Sequence, residues 1–194
     1  WGKMSKAKQS DLSQIVNNSE LLIEKKAVDR SMEKMSKKIE TELGDKNLII
    51  LTIMNGGLYP TALFMRYFQS SCELDYIHLS RYGNKTTGGL PFWHRKPQKN
   101  IRNRNVLVID DILDHGITLS EAIRECHKSG AKSVYSAVMV KKNIPIRKGI
   151  QESDFYAINL PNKYLFGSGL DYHGHFRNLD GIFALNQNRG LGQE

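Results

Sequence analysis

A mainly parallel α/β sheet with helices on both faces is the fold class the sequence predicts, and three observations predict it. Short apolar runs of strand length alternate with stretches whose apolar residues recur at helical spacing. One such run leads directly into acidic residues, a glycine-bearing loop and a helical stretch, the arrangement that puts ligands at the carboxyl ends of parallel strands. The length of 194 residues, 40% hydrophobic and 25% charged, suffices for one sizeable core and is short for two, so residues 1–194 read as a single domain.

The elements follow in order. From Lys25 to Leu43 the apolar residues Val28, Met32, Met35, Ile39 and Leu43 are spaced by four, three, four and four, which predicts an amphipathic helix stopped near Gly44. Asn47 to Met54 is a strand closed by Asn55, Gly56 and Gly57. Leu58 to Phe68 reads as a helix and Leu74 to Leu79 as a strand. The stretch 81–99 carries Gly83, Gly88, Gly89, Pro91 and Pro97 with little periodicity, and so long a connection is expected to be a mobile binding loop. Val106 to Ile109 is a buried strand, and Leu119, Ala122, Ile123 and Cys126 form the apolar stripe of the helix after it, stopped by Gly130. Lys132 to Val140, Phe155 to Leu160 and Gly181 to Leu185 supply further strands.

Composition excludes several classes. The apolar runs Leu48 to Leu51 and Val106 to Ile109 fall far short of the ~20 residues that span a bilayer, so no membrane partner is expected. The first twenty residues hold no apolar secretion core, and Cys72 and Cys126 make neither a disulfide framework nor a CxxC site, so a cytoplasmic setting is expected. A formal charge of +8 favours anionic partners, nucleic acid and phosphorylated small molecules alike. The basic run Arg95, Lys96, Lys99, Arg102 and Arg104 reads first as a solvated segment.

The stretch Val106 to Ser120 carries the chemistry. The loop Asp114 to Thr118 can turn successive N–H groups inward beside the positive end of a helix, which makes an anion nest, and Gly116 allows close approach. Thr118 and Ser120 either donate to the same anion or cap the helix. Neither a Walker A sequence nor a complete GxGxxG pattern is present. Two adjacent carboxylates, Asp110 and Asp111, repel each other and call for a sugar diol and a divalent cation such as Mg²⁺.

These residues resemble the signature of the type I phosphoribosyltransferase family, and the chain is most similar to its purine 6-oxo branch, the hypoxanthine-guanine phosphoribosyltransferases. Met54-Asn55-Gly56-Gly57 resembles the pyrophosphate loop, and Arg81-Tyr82 with the glycines beyond resembles the closing loop. Val140-Lys141-Lys142 resembles the strand end with a purine-binding lysine. Tyr164-Leu165, Leu170-Asp171-Tyr172 and Phe176-Arg177 resemble the base- and pyrophosphate-binding segment. Asp110 stands where many members have Glu; His115 and Ile117 replace polar side chains, and Asn55 replaces a lysine of some members.

The resemblance implies a central sheet with a small hood built from the N- and C-terminal segments. It implies transfer of the phosphoribosyl group from 5-phosphoribosyl-1-pyrophosphate (PRPP) to hypoxanthine or guanine, with Mg²⁺, by a homodimer or homotetramer. Asp110, Asp111, Asp114, His115, Gly116, Ile117 and Thr118 would hold the ribose phosphate, with Asp114 as general acid/base. Asn55, Gly56, Gly57 and Arg177 would take pyrophosphate. Lys141, Tyr164, Leu165, Leu170 and Asp171 would hold the purine, and Asp110, Asp111 and Asp171 the metal. His115 beside a phosphate is expected to weaken PRPP binding as pH rises through neutrality. His173 and His175 lack a third ligand at convincing spacing for zinc. The runner-up is a regulatory RNA-binding protein similar to the pyrimidine-operon attenuators; the purine-like segments and the absence of interleaved aromatics in the basic run argue against a nucleic acid partner. A PRPP synthetase-like enzyme comes third.

Overall fold

The computed structural model describes residues 9–81 and 91–186, so Tyr82 lies outside the described residues. Its elements are α1 (Gln9–Asn17), β1 (Ser19–Ile23), α2 (Lys25–Leu43), β2 (Leu48–Met54), α3 (Leu58–Tyr67), β3 (Cys72–Arg81) and β4 (Pro91–Arg95). They continue with β5 (Asn105–Leu113), α4 (Ile117–Lys128), β6 (Ser133–Asn143), β7 (Phe155–Pro161), β8 (Leu165–Phe166) and β9 (Ile182–Leu185).

The periodicity of α2 does what it predicts: Val28, Met32, Met35, Ile39 and Leu43 are all buried, and the N–H of Gly44 closes the helix on the Glu40 carbonyl. Truncating Met32 or Ile39 to Ala in that seam would cost about 2–5 kcal/mol. The main sheet has the order β4-β3-β2-β5-β6-β7. All neighbours run parallel except β4, which is antiparallel to β3. Its core strands alternate between two apolar layers, as the two-residue period of a strand requires. Leu48, Ile50, Leu107 and Ile109 share one layer with α2 and α3 residues, whereas Ile49, Leu51, Val106 and Val108 share the other with Leu119, Ala122 and Cys126 of α4.

This layering fixes where a ligand can bind. From β2 the chain crosses through α3 to β3 on one side, and from β5 it crosses through α4 to β6 on the other. The neighbouring strands β2 and β5 therefore send their loops to opposite faces, which opens a crevice at their carboxyl ends. A buried hydrogen bond of 3.0 Å between the hydroxyls of Thr52 and Thr61 ties β2 to the helix that leaves it. The hood expected from the terminal segments is the antiparallel sheet β1-β9-β8. Its residues Leu165, Ile182 and Ala184 join the α2 layer of the core.

Three expectations change. Part of the stretch read as irregular, Pro91 to Arg95, forms the edge strand β4. Trp93 anchors it, packing on the α4 layer and donating through Nε1 to Glu121 at 3.1 Å. The strand predicted to end at Ile109 continues to Leu113, because its ladder with β6 goes on through Asp110↔Val138, Ile112↔Val140 and Leu113↔Lys141. The elements α1, β1 and β8 were not expected from the sequence.

Candidate active site

The extension of β5 places the acidic pair on the last turns of a rigid strand instead of a loop. Asp110 is buried, Asp111 nearly so, and the N–H of Asp111 donates to Oδ1 of Asp110 at 2.9 Å. Burial, and then the charge of Asp111, push the Asp110 carboxyl well above the usual carboxylate range. Burial also raises Asp111, although Arg177 works against it. Two such groups side by side are poised for a partner that supplies positive charge or hydroxyl donors.

Beyond them Gly116, at φ +73°, is the N-cap of α4, in a conformation that side chains other than glycine rarely adopt. No side chain caps this helix, so the hydroxyls of Thr118 and Ser120 are not used for that purpose. The loop is held from behind: Gly149 N–H donates to the His115 carbonyl at 2.9 Å and Ile150 N–H to the Gly116 carbonyl at 3.3 Å. Across the crevice lies the turn after β2. A Cβ on Gly56 would sit 2.0 Å from Oδ2 of Asp111, so only glycine lets the turn come this close. Gly57 instead is wedged between the Ile53 and Ile109 carbonyls and starts α3.

Two adjoining cavities result. The first, about 260 Å³, is lined by Asn55, Gly56, Asp110, Asp111, Ile112, Asp114, His115, Gly116, Thr118, Asp171 and Arg177 among others. The second, about 310 Å³, is lined by Asp111, Ile112, Asp114, Lys142, Tyr164, Leu165, Leu170 and Asp171. They share Asp111, Ile112, Asp114 and Asp171. Arg177 spans the shared wall: its guanidinium donates to Asp171 at 2.6 Å, to Asp111 at 3.2 Å and to the Gly169 carbonyl at 2.6 Å. Burial raises the pKa of Tyr164, whose ring lies 5.4 Å edge-on from Tyr172 and stacks on His173 at 6.3 Å.

The structure thus gathers most of the expected residues around the two cavities and leaves Lys141 outside both. Lys141 points to Glu152, at 2.8 Å, and over the Tyr156 ring. Lys142 is the lysine of the second cavity, 3.3 Å from the Asp114 carboxylate. Successive strand residues face opposite sides, so one residue of register decides which lysine meets the cavity. Ile117 and Gly57 do not line either cavity, and Arg81 ends β3 as the closing-loop reading begins. The basic run is largely neutralised: Arg95 pairs with Asp75, Lys96 with Glu125, and Lys99 and Arg104 with Glu73. These pairs fit the reading of the run as a solvated surface segment. Among the described residues no helix is long and apolar enough to cross a membrane.

A doubly wound sheet presenting a glycine-bearing loop and a buried acidic pair at its switch point defines the class: an α/β protein that binds its ligand at the carboxyl ends of its strands. The particular family is the phosphoribosyl transferase domain family, to which this chain belongs through residues 17–169. It is similar to the hypoxanthine-guanine phosphoribosyltransferase of Bacillus subtilis (strain 168), 26% identical over 166 residues that cover 85% of this chain and 92% of that one. The hypoxanthine-guanine-xanthine phosphoribosyltransferase of Tritrichomonas foetus is 28% identical over 144 residues, 74% of this chain and 78% of its own. In fold the chain resembles a hypoxanthine phosphoribosyltransferase from Staphylococcus aureus, with a TM-score of 0.82 at 21% identity over 95% of this chain and 97% of that one.

Proposed function

We propose that this protein transfers the 5-phosphoribosyl group of PRPP to hypoxanthine or guanine, releasing pyrophosphate and forming the nucleoside monophosphate. The observation that carries this reading is the shared wall: a sugar-phosphate cleft and a base-sized cavity meet at Asp111, Ile112, Asp114 and Asp171. A bond made between ligands in the two cavities would form there.

The reaction passes through an oxocarbenium-like state, so the protein's work is to align two substrates, stabilise charge and move one proton. The loop 114–118 holds the 5′-phosphate through its amides, and Asp110 and Asp111 hold the ribose hydroxyls. The amides around Asn55 and Gly56, with Arg177, face the pyrophosphate. Lys142 donates to the purine 6-oxo group and keeps the Asp114 carboxylate close, so that Asp114 exchanges a proton with a ring nitrogen of the base. Tyr164 covers the base, with Leu165 and Leu170 beside it. Arg81, Tyr82 and the glycines that follow would cover the cleft.

Mg²⁺ fits the donor set. Asp110, Asp111 and Asp171 offer hard oxygen ligands, and the raised carboxyl pair is relieved by a cation. Among the described residues no group of three or more His, Cys, Asp and Glu side chains is arranged to hold a metal alone. When bound it would neutralise the departing pyrophosphate. A cytoplasmic homodimer or homotetramer belongs to the same reading; Leu58 and Met65, exposed on α3, offer apolar surface for a second copy.

The test is incubation with PRPP, Mg²⁺ and, separately, hypoxanthine, guanine, xanthine, adenine and uracil, followed by absorbance. Nucleotide should form with hypoxanthine or guanine, and adenine should be slower by ~10⁴ because its amino group meets the lysine ammonium. Turnover of no 6-oxopurine would reject the proposal.

A further inference from the structure

The connection between β6 and β7 holds a buried guanidinium that faces carbonyls instead of carboxylates. Arg147 is 7% exposed. Its Nε donates to the Asp114 carbonyl at 2.9 Å and its Nη1 to the Gln151 carbonyl at 2.7 Å, while Nη2 donates to the Lys142 carbonyl. Burying a cation without an anion is costly unless every donor is satisfied, so a residue of this kind is a poor choice for merely closing a turn. Gln151 in turn fixes the backbone of Arg147: its Oε1 accepts from the Arg147 N–H at 3.0 Å and its Nε2 donates to the Arg147 carbonyl at 2.8 Å.

The contacts form a series. Arg147 takes the carbonyl of Asp114, Gly149 that of His115 and Ile150 that of Gly116. A trans peptide sets its N–H opposite its C=O, so anchoring these carbonyls on one side turns the N–H groups of His115 and Gly116, both of which line the cleft, to the other. The same planar fork also grips Lys142, the residue whose ammonium meets the Asp114 carboxylate at 3.3 Å. One rigid group therefore sets the main chains of the general acid/base and of the purine lysine relative to each other.

We propose that Arg147 is a positioning residue of the transferase reaction, holding Asp114, Lys142 and the phosphate-binding amides in working register. This rests on the proposed transferase reading, and the experiment separates the two. R147M, which removes the donors, and R147K, which keeps the charge without the fork, are compared with wild type for kcat, KM for PRPP, Kd for ribose 5-phosphate and thermal midpoint. A 1 Å misplacement can cost ~10²-fold, so in R147M kcat should fall at least about tenfold and the ribose 5-phosphate Kd should rise several-fold, with R147K between. A lower thermal midpoint with wild-type kcat and Kd in the folded fraction would overturn the proposal. Should R147M fail to fold, R147K and Q151A are read by the same split. Were the wild type to turn over no base, the transferase reading would fail, and the ribose 5-phosphate Kd would decide on Arg147 alone: unchanged in the variants overturns it, weakened supports it.

Discussion

Asp75 on β3 and Asp110 on β5 are the same residue at the same 7% exposure, yet their carboxyls are driven in opposite directions. Burial works to raise both. At Asp75 it is overcome by the N–H groups of Lys99, Tyr76 and Gln98, at 2.9, 2.8 and 2.7 Å, and by the Arg95 guanidinium at 3.0 Å, which hold the group below its ordinary value. Among the described residues Asp110 accepts from the N–H of Asp111, and the strongest charge acting on it is the neighbouring Asp111 carboxylate. Burial therefore does not mark a functional acid; the shortage of donors does. Asp75 is a finished structural joint that pairs with Arg95, whereas Asp110 is left short of the donors that the proposed ligand would bring.

The largest effect expected from this contrast is on turnover. Replacing Asp110 and Asp111 together by Asn should lower kcat/KM for PRPP by ~10²–10³ while raising the thermal midpoint of the ligand-free protein at neutral pH, because a repelling pair is removed. D75N should do the reverse, costing about 1–2 kcal/mol of stability with kcat within about twofold of wild type. A double variant that is both inactive and less stable would break the contrast.

Next comes Lys142 against Lys141. K142M should lower kcat/KM for hypoxanthine by ~10², since a buried hydrogen bond to the base is lost, whereas K141M should leave it within about twofold. Equal effects would return the purine lysine to Lys141. The sequence shows the Lys-Lys pair but cannot choose between its members, because the face each takes depends on the ladder of β6 with β5 and β7. Elements with a dense local signal were legible: α2 appears with its bounds, and the apolar run, acidic pair and glycine loop of the candidate site stand in order in the sequence, although the strand runs on to Leu113. β1 and β8 were not, since their short segments become strands only by pairing with β9, far away in sequence. Arg147 and Gly149 were invisible for the same reason, as their partners lie some thirty residues earlier in the chain.

A smaller effect lies in the pH dependence of stability. Asp110 binds its proton more tightly folded than unfolded, so between the ordinary aspartate range and its raised pKa the ligand-free protein should lose stability as pH rises. Asp75 binds its proton less tightly when folded, so its contribution is lost as pH falls from the ordinary range towards its lowered pKa. Denaturation followed across pH in D110N should show the first slope flattened, and in D75N the second; a D110N profile identical to wild type would contradict the raised Asp110 carboxyl.

The smallest effect concerns a group that is buried without a ligand to await. Burial and then the charge of Glu125 push the Cys126 thiol up to about 12, so a thiol reagent at mildly alkaline pH should modify Cys126 only after unfolding. Rapid labelling of the native protein at Cys126 would show that the α4 layer opens.

The most direct measurement is a crystal structure with inosine monophosphate and Mg²⁺. Its phosphate should lie against the amides of residues 115–118, its ribose hydroxyls on Asp110 and Asp111, and its base beside Tyr164 with the 6-oxo group at Lys142. A nucleotide seated with its phosphate elsewhere, or its base outside the cavity that Asp114 and Lys142 share, would contradict the account.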